Sequence, residues 1–338
     1  MFRRPAHGAY PKPAIVLAGA GMLYCALIAL PAFGAETWKP DRPVELVVPA
    51  TSGGGQDLTA RVMQKIMQEQ GLAPVPVVVV NKPGGGGNIA YGYVKQHPGD
   101  GRFIATATPT MLTNNILDPG SDNYTDFTAL GMLYNEYVGF AVNAVSPFKT
   151  GRDLIERERK TPGSITFAFG TSLGNANHIA LAVAMKAGGA DIKKLTIVIY
   201  KSSADATLAL MGGHVDAVVT PLSTFTPVLQ SGRLRLIAVA APQRVAGNFA
   251  GVPTWREQGI DAVAPSYRAI IGPKGMSPEQ IAYWDNVFQQ LVQSETWKKE
   301  LERNEWESTF MKSAETRKYL DAQYAGYRSI LAELGLVK

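Results

Sequence analysis

The sequence contains only one cysteine and four histidines in 338 residues. The cysteine, Cys25, lies in an apolar run near the start of the chain, and no thiol follows it. Disulfides, cysteine nucleophiles and cysteine-ligated metals are therefore excluded from the rest of the chain. The histidines, aspartates and glutamates do not show the spacing of a metal site. The sequence predicts neither a metal nor any other cofactor.

Residues 1–34 have the three parts of a secretory signal peptide. Basic residues and no acidic ones occupy the start, an apolar run extends from 14 to 30, and the small residues Ala32 and Gly34 follow two apart. This is the pattern of a cleaved leader, so we expect cleavage near Gly34 and an exported mature chain. The alternative is an uncleaved membrane anchor, because the run is nearly long enough to span a bilayer.

The sequence beyond this segment has little excess charge. Of 33 lysines and arginines, three lie in the predicted signal peptide, which leaves 30 against 28 aspartates and glutamates. No basic cluster interleaved with aromatic residues occurs, so nucleic acid is not expected as a partner. The roughly 300 remaining residues are enough for one large domain or two of medium size.

A strand, a glycine loop and a helix start follow one another early in the mature chain. Val44–Val48 is short, apolar and rich in β-branched residues, which predicts a strand. Gly53–Gly55 then allows a tight turn, and apolar residues recur at helical spacing from Leu58 onward. Backbone N–H groups at a helix N-terminus attract anions, so this loop is a candidate anion site. It lacks the Gly-Lys-Ser/Thr ending of a nucleotide-binding P-loop.

The same unit recurs in the second half of the chain. A strand is predicted over 165–169, a loop over 170–175, and a helix over 176–187 that Gly188 ends. Strands that alternate with helices indicate an α/β fold with parallel units. Because ligands bind at the carboxyl ends of parallel strands, we expect the two loops to face each other across a cleft.

Further strands and helices favour the same fold class. Four valines at 77–80 suit a strand that is buried on both faces, and Ser277, Pro278 and Gln280 form a typical helix start. Strands are further expected over 103–108, 134–144, 196–200, 215–220 and 234–240, helices over 89–96, 204–211 and most of 277–338, and loops with short helices over 111–133.

Residues 170–174 read Gly-Thr-Ser-Leu-Gly, which matches the nucleophile elbow of serine hydrolases. Ser172 would need an acid, Asp191 or Asp205, and then His214 as a base. His214 follows Ser172 by only 42 residues and lies in a tight turn, which leaves little room for the intervening strands of a hydrolase. We therefore expect no enzyme and keep a secreted serine hydrolase as the alternative.

Three other side chains near these loops have predicted roles. Asp57 stands at the start of a helix, where a carboxylate caps backbone N–H groups. His178 is expected to bond a backbone carbonyl and so to orient the second loop. Lys201, directly after a strand, is the cation that we expect to point into the cleft.

Seven segments resemble the Bug-type periplasmic substrate-binding proteins of tripartite tricarboxylate transporters, in particular the branch that includes the tricarboxylate binders. The resemblance covers essentially the whole mature chain, about residues 38–338, and the seven segments follow one another in order. The segments are 47–57 (VVPATSGGGQD), 81–88 (NKPGGGGN), 170–178 (GTSLGNANH), 211–216 (MGGHVD), 232–239 (GRLRLIAV), 252–259 (VPTWREQG) and 267–275 (YRAIIGPKG).

The resemblance implies an α/β fold of two lobes, a Venus flytrap, with two crossing strands near 137–143 and 267–271. Lobe 1 would comprise 38–139 plus 268–338, and lobe 2 would comprise 140–267. It also implies a periplasmic, monomeric receptor that captures a small organic carboxylate between the lobes and delivers it to membrane permease subunits. A sensor that presents the loaded receptor to a membrane kinase would use the same fold.

The loops that the resemblance places in the cleft give the predicted ligand-binding residues. These are Ala50, Thr51, Ser52, Gly53, Gln56, Asp57, Thr108, Thr171, Ser172, Asn175, Lys201 and Thr220. Gln56 stands where that branch often carries tryptophan. Residues 201–203 and 220–221 stand where it usually has glycine and serine. Because these positions face the expected cleft, the identity of the carboxylate stays open.

Overall fold

In the computed structural model, which describes residues 38–337, strands and helices alternate along most of the chain. The predicted signal peptide, residues 1–34, lies outside the described residues. The strands are β1 (Val44–Val48), β2 (Val77–Asn81), β3 (Phe103–Ala107), β4 (Phe127–Asn143), β5 (Thr166–Gly170), β6 (Thr196–Tyr200), β7 (Ala217–Pro221), β8 (Leu234–Val239), β9 (Pro265–Pro273) and β10 (Glu307–Lys312). The α-helices are α1 (Gly55–Glu69), α2 (Asn88–Lys95), α3 (Pro109–Leu117), α4 (Gly151–Lys160), α5 (Ala176–Ala187), α6 (Ser203–Met211), α7 (Leu222–Phe225), α8 (Pro278–Gln293), α9 (Glu295–Asn304) and α10 (Ser313–Glu333).

Two sets of parallel strands are joined by antiparallel ones. The order along the sheet is β2-β1-β3-β9-β4-β7-β5-β6. Strand β1 pairs in parallel with β2 and β3, and β5 pairs in parallel with β6 and β7. Strands β9 and β4 lie between these sets and run antiparallel to their neighbours, while β8 and β10 also pair with β4. The α/β class is as predicted, but the sheet is mixed.

The long strand β4 passes from one set of strands to the other. Its residues up to Tyr137 pair with β9, and those from Val138 onward pair with β7. The predicted strand began only at Tyr134, and its first part was wrongly expected to be loops and short helices. Residues 127–133 are extended because they pair with β9, far along the sequence, and short-range patterns do not reveal such a partner.

Two other predictions about strands were wrong. Strand β2 is not buried on both faces, because only its first residue, Val77, is buried. It is also an edge strand, with β1 as its neighbour on one side. Val78 accordingly is 44% exposed. Residues 277–338 were expected to form helices in two or three pieces and no strand, but β10 lies between α9 and α10 and pairs with β4. None of the helices within residues 38–337 is both long and apolar enough to cross a membrane.

The helix termini of α5 and α8 confirm the capping signals in the sequence. Helix α5 has the predicted bounds, with Asn175 as its N-cap and Gly188 behind its last residue. At the start of α8, the hydroxyl of Ser277 accepts from the backbone of Gln280, whose side chain accepts from the backbone of Ser277 in return. Such caps stabilise a helix by about 1 kcal/mol each, so they fix where these helices begin.

Candidate ligand-binding cleft

A cleft of about 240 Å³ opens where four helices begin. Its lining includes the first residues of α1, α3, α5 and α6, which are Gly55, Pro109, Ala176 and Ser203. The N-terminal end of a helix carries about half a positive charge and unpaired N–H groups. Four such ends at one space favour an anion there. The other lining residues are Ala50, Gln56, Thr108, Thr110, Thr171, Asn175, Asn177, Pro221, Ser266 and Arg268.

Helices α1 and α3, which follow β1 and β3, begin at this cleft and have no side-chain caps. Gly54 and Thr108 are the N-cap residues of α1 and α3, and neither side chain bonds the helix that follows. By contrast, Asn175 caps α5 and Ser202 caps α6 through their side chains. In α3, Pro109 has no N–H and the N–H of Met111 donates to the carbonyl oxygen of Thr108. The first-turn N–H groups of α1, together with that of Thr110, are therefore the ones that a bound anion is best placed to satisfy.

Asp57 holds the first loop from outside the cleft lining. Its buried carboxylate accepts hydrogen bonds from the backbone of Gly53 at 2.9 Å, from Asn81 at 2.9 Å and from Arg61 at 2.8 Å. Burial alone would raise the pKa of this group, but the hydrogen bonds from Arg61, Gly53 and Asn81 outweigh it and lower the pKa to about 2. Asp57 was expected to cap the helix, but the N-cap of α1 is Gly54, which has no side-chain cap bond. Asp57 instead accepts from the backbone of Gly53, which precedes the helix.

The cation in the cleft is Arg268, not the predicted Lys201. Lys201 is exposed and does not line the cleft. Arg268 lines it although only 8% of the residue is exposed. Its Nη2 donates to Oε2 of Glu136 at 2.8 Å, and its Nη1 donates to Ser266 and to the carbonyl oxygen of Tyr267. An arginine within the apolar stretch of β9 was the sequence signal for this site, because a buried charge needs a partner.

The second loop is held by Asn175. Its Nδ2 donates to the carbonyl oxygen of Gly170 at 2.7 Å and to the hydroxyl of Thr171 at 2.8 Å, while its Oδ1 accepts from the backbone of His178. Thr171 has a φ of +79°, a left-handed conformation that costs a threonine free energy. Ser172 beside it is exposed and does not line the cleft.

Gly170 allows the start of α6 to approach this loop. A Cβ at Gly170 would collide with the backbone of Ser202 and Ser203. Because glycine has no side chain, the N-terminus of α6 can lie against this loop, and the first residues of α5 and α6 both line the cleft.

His178 orients the second loop, but not through the carbonyl bond that the sequence suggested. Its Nδ1 accepts a hydrogen bond from the backbone of Gly174 at 3.0 Å. The ring is buried and stacks on Phe169, with centroids 5.4 Å apart. Burial lowers the pKa of His178 to about 4, which keeps the imidazole neutral and able to accept at Nδ1.

Of the predicted ligand-binding residues, five line the cleft and seven do not. The five are Ala50, Gln56, Thr108, Thr171 and Asn175, and the seven are Thr51, Ser52, Gly53, Asp57, Ser172, Lys201 and Thr220. Gln56 accepts from the hydroxyl of Thr106 at 3.1 Å, which holds its amide at the cleft. Thr220 is fully buried in β7, and its neighbour Pro221 lines the cleft instead.

A larger cavity of about 430 Å³ lies elsewhere and suits an anion poorly. Its lining includes Glu302, Glu305 and Glu307, together with residues near the C-terminal end of α9. The two cations of the lining are already paired with carboxylates, Arg244 with Glu257 and Lys298 with Glu295. A helix C-terminus and carboxylates both repel an anion. Among residues 38–337, no group of three histidine, cysteine, aspartate or glutamate residues could hold a metal ion.

Comparison with known proteins identifies the family. The family model described as the tripartite tricarboxylate transporter family receptor matches residues 59–336. A UPF0065 protein from the gbd 5′ region of Cupriavidus necator is 29% identical over 314 residues, which cover 92% of this chain and 93% of the relative. Protein BugT of Bordetella pertussis is 28% identical over 265 residues, 77% of this chain and 79% of its own.

Solved structures share the fold. The R. palustris protein Rpa4515, whose structure contains adipate, has a TM-score of 0.77 at 26% identity and covers 88% of this chain and 99% of its own. The periplasmic binding protein BugD has a TM-score of 0.73 at 24% identity, with 88% and 99% covered. These likenesses confirm the predicted periplasmic-binding-protein fold, and none of them supports the serine hydrolase alternative. The chain belongs to the receptor family of the tripartite tricarboxylate transporters.

Proposed function

We propose that this receptor binds a small organic carboxylate in the cleft and delivers it, as a periplasmic monomer, to the membrane permease subunits of a tripartite transporter. The observation that supports the ligand class is the convergence of four helix N-termini on one space that also contains Arg268. An organic carboxylate has the charge and the acceptor atoms that these donors require.

The start of α1 and the guanidinium of Arg268 define the place for one carboxylate group. A Cβ added at Gly55 would lie 3.5 Å from Nη2 of Arg268, so the uncapped helix end and the cation are direct neighbours. A carboxylate at this point would accept from the backbone of α1 and contact the guanidinium at the same time. Charge-assisted bonds of this kind are stronger than neutral ones.

The size of the cleft and a relative support a small ligand. A volume of about 240 Å³ is below the roughly 300–1,000 Å³ of clefts that hold drug-sized molecules. The R. palustris relative was solved with adipate, a linear molecule with a carboxylate at each end. We infer that a ligand of similar size places its second end against the second loop, near Thr171 and Asn175.

We further propose that lobe 1 comprises 38–139 plus 268–338 and lobe 2 comprises 140–267. The change of partners on β4 between Tyr137 and Val138 supports a boundary close to the first of these limits. The cleft lining then draws Gly55 and Thr108 from lobe 1 and Asn175 and Ser203 from lobe 2. Closure of the lobes would exclude water from the carboxylate and form one surface for the permease.

A screen of the mature protein, purified from the periplasm, tests the ligand class. Thermal unfolding is measured with succinate, malate, citrate and adipate, and each acid is paired with its neutral amide. We expect at least one acid to raise the Tm while its amide does not, because ligand at 100 times its Kd stabilises by about 2.7 kcal/mol. Native mass spectrometry of fresh protein detects a carboxylate already bound. If no acid stabilises the protein and none is retained, the proposal is wrong.

A further inference from the structure

One buried carboxylate joins the cleft arginine to the other set of strands. Glu136 is 3% exposed, and its Oε2 accepts from Nη2 of Arg268 at 2.8 Å. Its other oxygen, Oε1, accepts from the hydroxyl of Ser223. Both oxygens of this carboxylate therefore have partners, one on β9 and the other on α7.

The three residues come from elements that meet at the crossing of β4. Glu136 precedes by one residue the point where β4 changes partner, and it lies opposite Ser266 on β9. Arg268 follows on the same strand β9. Ser223 belongs to the short helix α7, which directly follows β7 in the other strand set. If β5, β6 and β7 rotated relative to β1, β2 and β3 about the point where β4 changes partner, Ser223 would move relative to Glu136.

Arg268 depends on these contacts for its orientation. A buried ion pair is stable only where good geometry offsets the loss of water around both charges. The Nε atom of Arg268 is buried and has no hydrogen-bond partner among the described residues, so the contacts at Nη1 and Nη2 fix the guanidinium. Of these, the bond to Glu136 is the only one to a charged group within the described chain.

We propose that Glu136 and Ser223 are positioning residues for ligand binding. Glu136 holds the guanidinium of Arg268 at the start of α1, and Ser223 holds Glu136 while the two strand sets are close together. The inference rests on the proposed function, because it assumes that Arg268 contacts a ligand carboxylate. Because Ser223 lies in the other strand set, Arg268 is fully oriented only while the two sets are close together. Loss of the Ser223 hydroxyl should therefore mainly increase the rate of ligand dissociation.

Three variants test the role of Ser223. Ser223→Ala removes the hydroxyl, Ser223→Thr retains it, and Thr224→Ala changes the next residue of the same helix, whose side chain makes no hydrogen bond to a described residue. Binding of succinate, malate, citrate and adipate is measured by calorimetry, the dissociation rate by stopped flow, and the Tm without ligand as a measure of folding.

We expect Ser223→Ala to weaken binding about tenfold, because it removes a hydrogen bond to a charged group, with most of the change in the dissociation rate. Ser223→Thr should stay within threefold of wild type, and Thr224→Ala should bind as wild type does. Because Ser223→Ala leaves one oxygen of the buried Glu136 without its donor, its Tm without ligand should lie below that of Thr224→Ala. The faster ligand dissociation distinguishes a positioning role from this loss of stability.

Two results would overturn the inference while the proposed function stands. One is wild-type affinity and dissociation in Ser223→Ala. The other is equal weakening by Thr224→Ala, which would indicate a general effect of the helix. If the wild-type protein binds none of the four acids and carries no retained carboxylate, the proposed function fails, and the inference fails with it.

Discussion

The side-chain amide of Asn81 donates a 2.9 Å hydrogen bond to the buried carboxylate of Asp57. This bond joins the end of β2, where the segment 81–88 begins, to the first turn of α1. Arg61 and the backbone of Gly53 donate to the same carboxylate. One ionised side chain therefore sets the shape of the loop before α1, which is why it is structural although it lies beside the cleft.

Replacement of Asp57 by asparagine should lower stability in a pH-dependent way. Its pKa is lowered from 3.8 to about 2 in the folded protein, so its contribution is present above pH 4 and is lost as pH falls towards 2. We expect Asp57→Asn to reduce the free energy of unfolding by about 2 kcal/mol at pH 7, measured by urea titration. The difference from wild type should shrink between pH 4 and pH 2.

Asp41 offers the matched control, since its carboxylate is largely exposed. Asp41→Asn should change stability by less than about 0.5 kcal/mol at either pH. A constant difference between Asp57→Asn and wild type from pH 7 to pH 2 would show that the ionised carboxylate is not the stabilising group.

The sequence predicted the local part of this fold well. Helix α5 and strand β6 have the predicted bounds, because Asn175, Gly188 and the run from Thr196 act over a few residues. The first part of β4 and all of β10 escaped prediction, because each is extended only through pairing with a distant strand. Local patterns indicate caps and turns, whereas long-range pairing depends on the whole chain.

The candidate site was predicted in part for the same reason. Gln56, Thr108 and Asn175 follow strands at the edge where parallel units gather their loops, and the structure places all three in the cleft lining. Arg268 was not predicted, because it lies within a strand and not in a loop that follows one. The charge of Arg268 among apolar residues marks it as a side chain that needs a partner. Its place at the cleft, however, depends on β9 lying between the two parallel sets, which the local pattern does not show.

Removal of the cleft cation, Arg268, should weaken both ligand binding and folding. Arg268→Gln should weaken carboxylate binding by at least tenfold, because it removes the positive group beside α1. It should also lower the free energy of unfolding by about 3 kcal/mol, since Glu136 is left buried without its partner. Calorimetry with the acid that binds wild type and urea titration measure the two effects.

The double variant Glu136→Gln/Arg268→Gln distinguishes these two effects. Without the buried charges, its stability should recover most of the loss, while its carboxylate binding stays weak. If Arg268→Gln alone binds a carboxylate as well as wild type does, Arg268 has no part in ligand recognition.

Gln56 should set the size of the ligand. Its side chain lines the cleft next to Thr106, and the larger tryptophan side chain at this position would reduce a volume of about 240 Å³. We expect Gln56→Trp to weaken binding of the largest acid that wild type accepts by more than tenfold, with a smaller effect on shorter acids. Calorimetry across succinate, malate, adipate and citrate gives this comparison.

Leu58 provides the control for Gln56, since it is 39% exposed in the same helix turn and does not line the cleft. Leu58→Trp should leave the order of affinities unchanged. Equal weakening of every acid by Gln56→Trp would mean that the residue affects the helix start and does not select by size.

Asn175 should matter for both folding and binding, and Ser172 for neither. Asn175→Ala removes the cap of α5 and the bonds to Gly170 and Thr171, so we expect a loss of about 1–2 kcal/mol in unfolding free energy and about tenfold weaker binding. Asn175→Asp keeps an acceptor for the N–H of His178 but loses the donor. It also places an ionised oxygen against the carbonyl oxygen of Gly170 in a buried site, so both its stability and its carboxylate binding should fall.

Ser172→Ala provides the comparison for the second loop, because Ser172 is exposed and lies outside the cleft lining. Its stability and its carboxylate affinity should stay within error of wild type, and neither protein should cleave a p-nitrophenyl ester faster than buffer does. Ester cleavage by wild type that disappears in Ser172→Ala would restore the hydrolase hypothesis. Normal binding by Asn175→Asp would show that the donor bonds, and with them the strained conformation of Thr171, do not shape the site.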